Sequence, residues 1–214
     1  MLKPYNTIIW DWNGTLLNDI DLCIDIANKL LSDQNKTSLD KQQYKSSFGF
    51  PITDYYTKIG IDMQQESFEL LTKKFITQYT EEVKNCGLHH KAEEVLETFR
   101  TRNWSQYILT AAHKDSVLSL LDFHGIDSYF EEVEGLDNHR AETKVYRGKE
   151  LLKNNNIVRT QAVLIGDTLH DHEVAQEIGV DCILIANGHQ SKERLEDESK
   201  GKVMVLDFIH DLIG

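Results

Sequence analysis

The chain has 214 residues, with 35 acidic against 23 basic side chains and a formal charge of −12. That balance excludes nucleic-acid binding as the main role, because a phosphate backbone demands a basic face. No apolar stretch approaches the roughly 20 residues needed to span a bilayer, which excludes a membrane helix.

The first predicted element is a strand at about 6–11, the run Asn6-Thr7-Ile8-Ile9-Trp10-Asp11. It ends in a carboxylate that enters the turn Trp12-Asn13-Gly14-Thr15. A charge leaving a buried strand needs a metal, a hydrogen-bonding nest or a ligand to offset its desolvation. The stretch from about 18 to 87 has no strand-like alternation. Leu22, Ile26, Leu30 and Leu31 repeat at helical spacing, as do Phe68, Leu71, Phe75 and Tyr79. Phe48-Gly49-Phe50-Pro51 reads as a turn between these helices.

Strand and helix then alternate. Strands are expected at about 105–110, 161–166 and 181–186, with a shorter one near 202–205. Helices are expected at about 91–103, 114–124, 144–155, 170–178 and 206–213. Such alternation implies an α/β fold, a Rossmann-like parallel sheet flanked by helices. The 161–166 strand runs into Gly166-Asp167-Thr168-Leu169-His170-Asp171, a second acidic strand end. Open α/β sheets bind ligands at such carboxyl edges, so the two ends suggest one site.

These motifs resemble the haloacid dehalogenase superfamily, which is mostly Mg²⁺-dependent phosphatases. Asp11-Trp12-Asn13-Gly14-Thr15 matches its Asp-x-Asp-Gly-Thr motif except at Asn13, and Gly166-Asp167-Thr168-Leu169-His170-Asp171 matches its Gly-Asp-x₃-Asp motif. Thr110 fits a strand-ending Ser/Thr, and Lys144 lies where the family places a lone Lys, with Arg140, Arg147 and Lys149 as competitors. Ala111 and Val145 stand where the family often has Asn and Pro. The resemblance covers essentially the whole chain. It implies a core domain of 1–17 and 88–214, with 18–87 as an inserted helical cap hinged near Leu17-Asn18 and Gly87-Leu88, as in relatives similar to phosphoglycolate phosphatase and β-phosphoglucomutase.

The resemblance also implies roles. Asp11 would be the nucleophile that forms an aspartyl-phosphate. Mg²⁺ would be held by Asp11, Asp167 and the Asn13 carbonyl, with Asp171 on a coordinated water. Thr110, the Ala111 amide and Lys144 would bind the phosphoryl oxygens. Asn13 departs from the family's acid/base Asp, a proton-transfer role worth roughly 10²–10⁴-fold. Three consequences are open: a substrate with a good leaving group, a proton supplied by His113, His170 or His189, or a slow enzyme that binds phosphorylated ligands. Restoring the carboxyl with Asn13→Asp is expected to raise hydrolysis of alkyl phosphates.

The sequence thus predicts a Mg²⁺-dependent phosphohydrolase of a small phosphorylated metabolite, with a phosphotransferase or a weak binding protein as alternatives. A dehalogenase is disfavoured by the acidic pair at 167 and 171, and a receiver-like module by the helical stretch after the first strand. Cys23, Cys86 and Cys182 read as free thiols, and the start Met1-Leu2-Lys3-Pro4-Tyr5 lacks a signal-peptide core, so the expected compartment is cytoplasmic. The expected assembly is a monomer or weak homodimer. The histidine pairs His170/His172 and His89/His90 do not form a transition-metal site on this reading. Tyr55, Tyr56 and the Phe48–Pro51 turn are read as cap-core aromatics and Lys58 as a solvated charge, rather than as substrate contacts, and Trp12 as a shaper of the pocket entrance.

Overall fold

The computed structural model describes residues 4–136 and 143–214. Arg140, one competitor for the phosphate-binding role, and the first three residues lie outside the described set. Six parallel strands form one sheet: β1 (Thr7–Trp10), β2 (Ser105–His113), β3 (Glu132–Leu136), β4 (Ala162–Gly166), β5 (Asp181–Ile185) and β6 (Met204–Leu206), in the order β3-β2-β1-β4-β5-β6. The strand order reverses beside β1, where two crossovers leave in opposite directions and open a crevice at the carboxyl edge. Register fixes what reaches that edge. Trp10 pairs with Ile108 on one side and Ile165 on the other, so Asp11 emerges level with Gly166 and one residue short of Asp167.

β1 is buried along its whole length, as a strand covered on both faces must be. On one face Ile8, Trp10, Ile108, Val163 and Ile165 pack against Val95, Leu96, Phe99 of α5 (Ala92–Thr101) and Val117, Leu120 and Leu121 of α6 (Lys114–His124). On the other, Ile9, Leu109 and Leu164 meet Leu151 and Leu152 of α7 (Lys144–Asn154) and Val174, Ala175 and Ile178 of α8 (Leu169–Ile178). α9 (Lys192–Ser199) follows β5.

Three expectations differ from the structure. β3 is absent from the sequence reading because Glu-Val-Glu-Gly-Leu is an edge strand with no β-branched run, and it buries only Val133 and Gly135. β2 extends past Thr110 to His113, with its register against β3 shifting between Leu109 and His113. The helix expected at 206–213 is a single 3₁₀ turn, Ile209–Leu212, following the edge strand β6.

Residues between β1 and β2 add no strand to the sheet. Ahead of α5, which packs on the sheet, they form α1 (Ile20–Asp33), α2 (Lys41–Ser47), α3 (Ile52–Lys58) and α4 (Phe68–Glu82). Their amphipathic faces close on one another through Ile20, Leu30, Leu31, Tyr44, Tyr55, Tyr56 and Leu71, a separate apolar cluster. Tyr55 and Tyr56 therefore belong to this helical interior. Two connections reach the sheet side by side, with Asn18 N–H donating to the Gly87 carbonyl at 2.9 Å and His89 N–H to the Leu16 carbonyl at 2.9 Å.

α2 and the turn after it are clipped to the α/β part. Lys45 Nζ donates to the Ala186 carbonyl at 2.8 Å, and the Phe48 carbonyl accepts from Gln190 Nε2 at 3.0 Å and from Arg194.

Candidate active site

Four of the residues singled out in the sequence meet at the carboxyl edge. Carboxylate oxygens of Asp11, Asp167 and Asp171 all lie within 4.8 Å of one another, and all three side chains are buried. Lys144 opens α7, and its Nζ lies 2.6 Å from both Asp11 Oδ1 and Asp171 Oδ1. α7 reaches this point because Thr143 caps it, accepting from Tyr146 N–H at 3.2 Å. Asp171 is fixed in a capping box with Thr168, whose N–H and hydroxyl donate to Asp171 Oδ2 at 3.0 and 2.7 Å.

Among the described residues one ammonium faces the three carboxylates, so the described protein groups at the cluster itself leave its buried charge unbalanced. Burial, reinforced by the Asp171 and Asp167 charges against the opposing Lys144, raises the Asp11 pKa well above the carboxylate range. Burial likewise pushes Asp167 up to about 6, with Asp171 adding to it and His189 opposing. Asp171 goes the other way: burial would raise it, but Lys144 and the Thr168 donors hold it below its ordinary value. Such a surplus of oxygen ligands suits a hard divalent cation, and a cation there would restore both raised carboxylates to the charged form.

Two glycines keep the cluster this tight. Gly14 has φ of +72°, and a Cβ on it would lie 2.4 Å from Asp167 Oδ2 and from the His189 ring. A Cβ on Gly188 would lie 2.2 Å from Asp167 Cβ. Asp167 is further held by the Thr15 hydroxyl at 3.0 Å and by the His189 backbone N–H at 2.6 Å.

Asn13 does not face this cluster through its side chain. Its Nδ2 donates to Asp19 Oδ2 at 2.8 Å and lies 2.6 Å from Tyr79 Oη, which itself donates to Asp19 Oδ2 at 2.7 Å. Gly14 N–H also donates to Asp19, at 3.0 Å. Asp19, on the last residue before α1, is only 1% exposed. Burial alone would raise its pKa, but His189, Tyr79 and Asn13 together lower it. His189 Nε2 lies 3.2 Å from Asp19 Oδ1, and its Nδ1 lies 3.0 Å from Tyr44 Oη. Burial opposes the imidazolium, yet Asp19 wins and lifts His189 to about 9.

Asp19, Tyr79 and Tyr44 were missed in the sequence. Tyr79 and Tyr44 sit on apolar helical stripes, where a hydroxyl's direction is invisible. Asp19 sits directly before an apolar helical run, where a capping role accounts for it without any contact across the fold.

Thr110 is buried on β2, and its Oγ1 accepts from Ala112 N–H at 3.0 Å, while Ala111 is exposed. Of the three histidines named as proton donors, only His189 joins the cluster's surroundings. His170 pairs with Glu173 at 3.2 Å and packs on the Phe50 ring at 4.9 Å, and buried His113 Nε2 has no partner among the described residues. Arg147 lies 3.3 Å from Glu134, and Lys149 is exposed, so among the described residues Lys144 is the cation at the carboxylates. Trp12 does not shape an entrance. It is fully buried and belongs to the main apolar core together with Leu16 and Leu17.

An α/β sheet with three carboxylates and a lysine converging at its switch point is an enzyme architecture with its chemistry at the carboxyl edge. The chain belongs to the haloacid dehalogenase-like hydrolases, whose family model matches residues 8–185. It is similar to a phosphoglycolate phosphatase from Colwellia psychrerythraea, at 24% identity over 90% of this chain and 89% of that protein. It is also similar to pyrophosphatase PpaX from Bacillus pumilus, at 22% identity over 89% of this chain and 87% of that protein. Among solved structures, a predicted phosphatase from Clostridium acetobutylicum superposes with a TM-score of 0.80 at 17% identity, covering 97% of this chain and 96% of the other. That likeness shows the shared fold. No helix among the described residues is long and apolar enough to cross a membrane.

Proposed function

We propose that this hydrolase is a Mg²⁺-dependent phosphatase of a small phosphorylated metabolite. The observation that carries the reading is the placement of Lys144 Nζ 2.6 Å from both Asp11 and Asp171, with Asp167 in the same buried cluster. Asp11 attacks phosphorus, the bond to the leaving oxygen breaks, and an aspartyl-phosphate forms on Asp11. Water then attacks that phosphorus and releases phosphate, freeing the carboxylate. Lys144 orients Asp11 and neutralises a phosphoryl oxygen as a point charge. Thr110 has a hydroxyl proton to donate, since its oxygen accepts from Ala112, and the Ala111 N–H lies beside it in the chain.

Asp11, Asp167 and the Asn13 carbonyl would hold Mg²⁺, with Asp171 fixing a water of its shell; the ion supplies neutralisation of the transferring group. Residues 18–87 act as a cap whose closure excludes bulk water, with hinges at the paired connections 17–18 and 87–88. The test is free-phosphate release from a panel that includes phosphoglycolate, pyrophosphate, sugar phosphates, acetyl phosphate and p-nitrophenyl phosphate. It is run with Mg²⁺, with EDTA, and with Asp11→Asn. Mg²⁺-dependent turnover lost in Asp11→Asn is expected; turnover that survives that substitution refutes the mechanism.

A second reading, a binding protein for phosphorylated ligands, is favoured by one observation: the Asn13 amide is committed to Asp19 and Tyr79 and offers no acid or base to a leaving group. Ligand-induced thermal stabilisation without turnover across the panel would support it.

A further inference from the structure

We infer that the chain carries a second metal site, separate from the acidic cluster, for a thiophilic divalent cation of the Zn²⁺ type, and that the ion staples the helical cap to the α/β core. The donors are Asp19, Cys23 and His189. Their ligand atoms all lie within 4.8 Å of one another, and all three side chains are buried. Asp19 and Cys23 are four residues apart, one turn along the start of α1, so both face the same way. His189 comes from the loop after β5, on the other side of the cap–core boundary.

For two of the three donor pairs, each measured to a different Asp19 oxygen, the spacing is within a few tenths of an ångström of what such an ion needs, and the Cys23–His189 pair lies within 4.8 Å. His189 Nε2 is 3.2 Å from Asp19 Oδ1, and Cys23 Sγ is 3.9 Å from Asp19 Oδ2. Tetrahedral Zn²⁺ with ligand distances of about 2.0–2.3 Å sets its donors roughly 3.3–3.7 Å apart. The far nitrogen of His189 already has the partner that metal-binding imidazoles use: Nδ1 lies 3.0 Å from Tyr44 Oη. With the metal on Nε2, Nδ1–H donates to that oxygen.

The donor set discriminates between ions. Thiolate, imidazole and carboxylate together suit Zn²⁺ or Co²⁺, whereas Mg²⁺ prefers the oxygens of the acidic cluster. Binding displaces the Cys23 thiol proton and the proton His189 shares with Asp19, and both leave to solvent; no redox change is involved. Three protein donors would leave the fourth tetrahedral position to an exogenous ligand such as water.

Two of the donors move with the cap and one stays with the core, so the bound ion resists opening. Turnover requires opening, so micromolar Zn²⁺ inhibits; this consequence rests on the phosphatase reading, while the binding does not.

The experiment uses the full chain, tag removed, titrated with Co²⁺ in the presence of excess Mg²⁺. One equivalent should give a tetrahedral visible spectrum with a thiolate-to-cobalt charge-transfer band, abolished by Zn²⁺ competition. Cys23→Ser should lose the band and weaken Zn²⁺ binding by about 10–100-fold. A Cys86→Ser/Cys182→Ser double variant should keep it. Circular dichroism of each variant checks that loss of the band is not loss of fold. In phosphate-release assays, Zn²⁺ should inhibit the wild type and spare Cys23→Ser. A wild-type spectrum with no thiolate band, or equal Zn²⁺ affinity in wild type and Cys23→Ser, overturns the site. Binding as expected with no phosphate release from any substrate leaves the site standing and removes the phosphatase reading instead.

Discussion

Asn13→Asp is the substitution that separates this chain from its family's motif, and the structure changes what it should do. In the sequence it restores a catalytic carboxyl at almost constant shape. In the fold, the atom that becomes Oδ2 lies 2.8 Å from Asp19 Oδ2, where an amide proton now sits. Two unit charges at that separation repel by about 6 kcal/mol at an effective dielectric near 20. His189 is already engaged with Asp19 at 3.2 Å and cannot screen a second carboxylate equally.

The pair escapes by taking up one proton. Protonating a carboxyl of ordinary pKa at pH 7 costs about 4 kcal/mol, less than the repulsion, and the new hydroxyl then donates to Asp19 as the amide did. Asn13→Asp should therefore destabilise the metal-free protein by about 3–4 kcal/mol at pH 7 and by about 1.5 kcal/mol at pH 5. The sign follows from a folded pKa raised above the unfolded one, which loses stability as pH rises. Asn13→Asp/Asp19→Asn returns one carboxylate and one amide to the same contact and should remove the pH dependence of the loss, but it recovers stability only in part, because His189 loses the buried carboxylate 3.2 Å from its Nε2.

Urea denaturation of the three proteins with EDTA at both pH values measures this. An Asn13→Asp single variant within about 0.5 kcal/mol of wild type at pH 7, with no pH dependence of the difference, would refute the Asn13–Asp19 contact. In the double variant the carboxyl at 13 is no longer opposed. If proton transfer to the leaving group limits turnover, alkyl-phosphate hydrolysis should then rise by up to about 10²-fold, and aryl-phosphate hydrolysis less. Equal changes for both classes would show that leaving-group protonation is not the missing step.

Asp11→Asn should abolish turnover while leaving the fold intact, because Lys144 keeps Asp171 at 2.6 Å; near-ultraviolet dichroism and phosphate release together check this. Lys144→Met leaves three buried carboxylates without their ammonium and should cost about 3–5 kcal/mol in EDTA, with Mg²⁺ restoring part of it as a concentration-dependent rise in Tm. His89 is held neutral, its pKa lowered from 6.5 to about 4 by burial, with Nε2 2.9 Å from the Gly14 carbonyl. Because the folded value is the lower one, its contribution is present above 6.5 and is lost as pH falls toward 4. The stability difference between wild type and His89→Gln should therefore shrink by up to about 3 kcal/mol across that window in pH-dependent urea melts.

Much of this protein was legible in the chain itself. The alternation of short β-branched runs with longer helical stripes pointed to a parallel sheet, because strands buried on both faces read as brief continuous apolar runs while the intervening helices keep a 3.6-residue stripe. Asp11 and Asp167 declared themselves by position, since a carboxylate at the end of a buried strand has few inexpensive explanations. The two helical stripes, Leu22 to Leu31 and Phe68 to Tyr79, and the absence of strand-like alternation between them argued against any strand there. What the tertiary structure alone decided is long-range. β3 is a strand only because β2 offers it an edge, and the helix expected at 206–213 shrinks to one short 3₁₀ turn after the expected edge strand β6. Asn13, alarming as a lost acid/base group in one dimension, has its amide fixed by Asp19 six residues on and by Tyr79 on another helix. The same contact sets Asp19 against Cys23 and against His189, which lies 170 residues further along the chain than Asp19. Local periodicity dictates which face of an element is apolar; it carries no information about which polar atoms meet across the packed faces, and the chemistry of this site is made there.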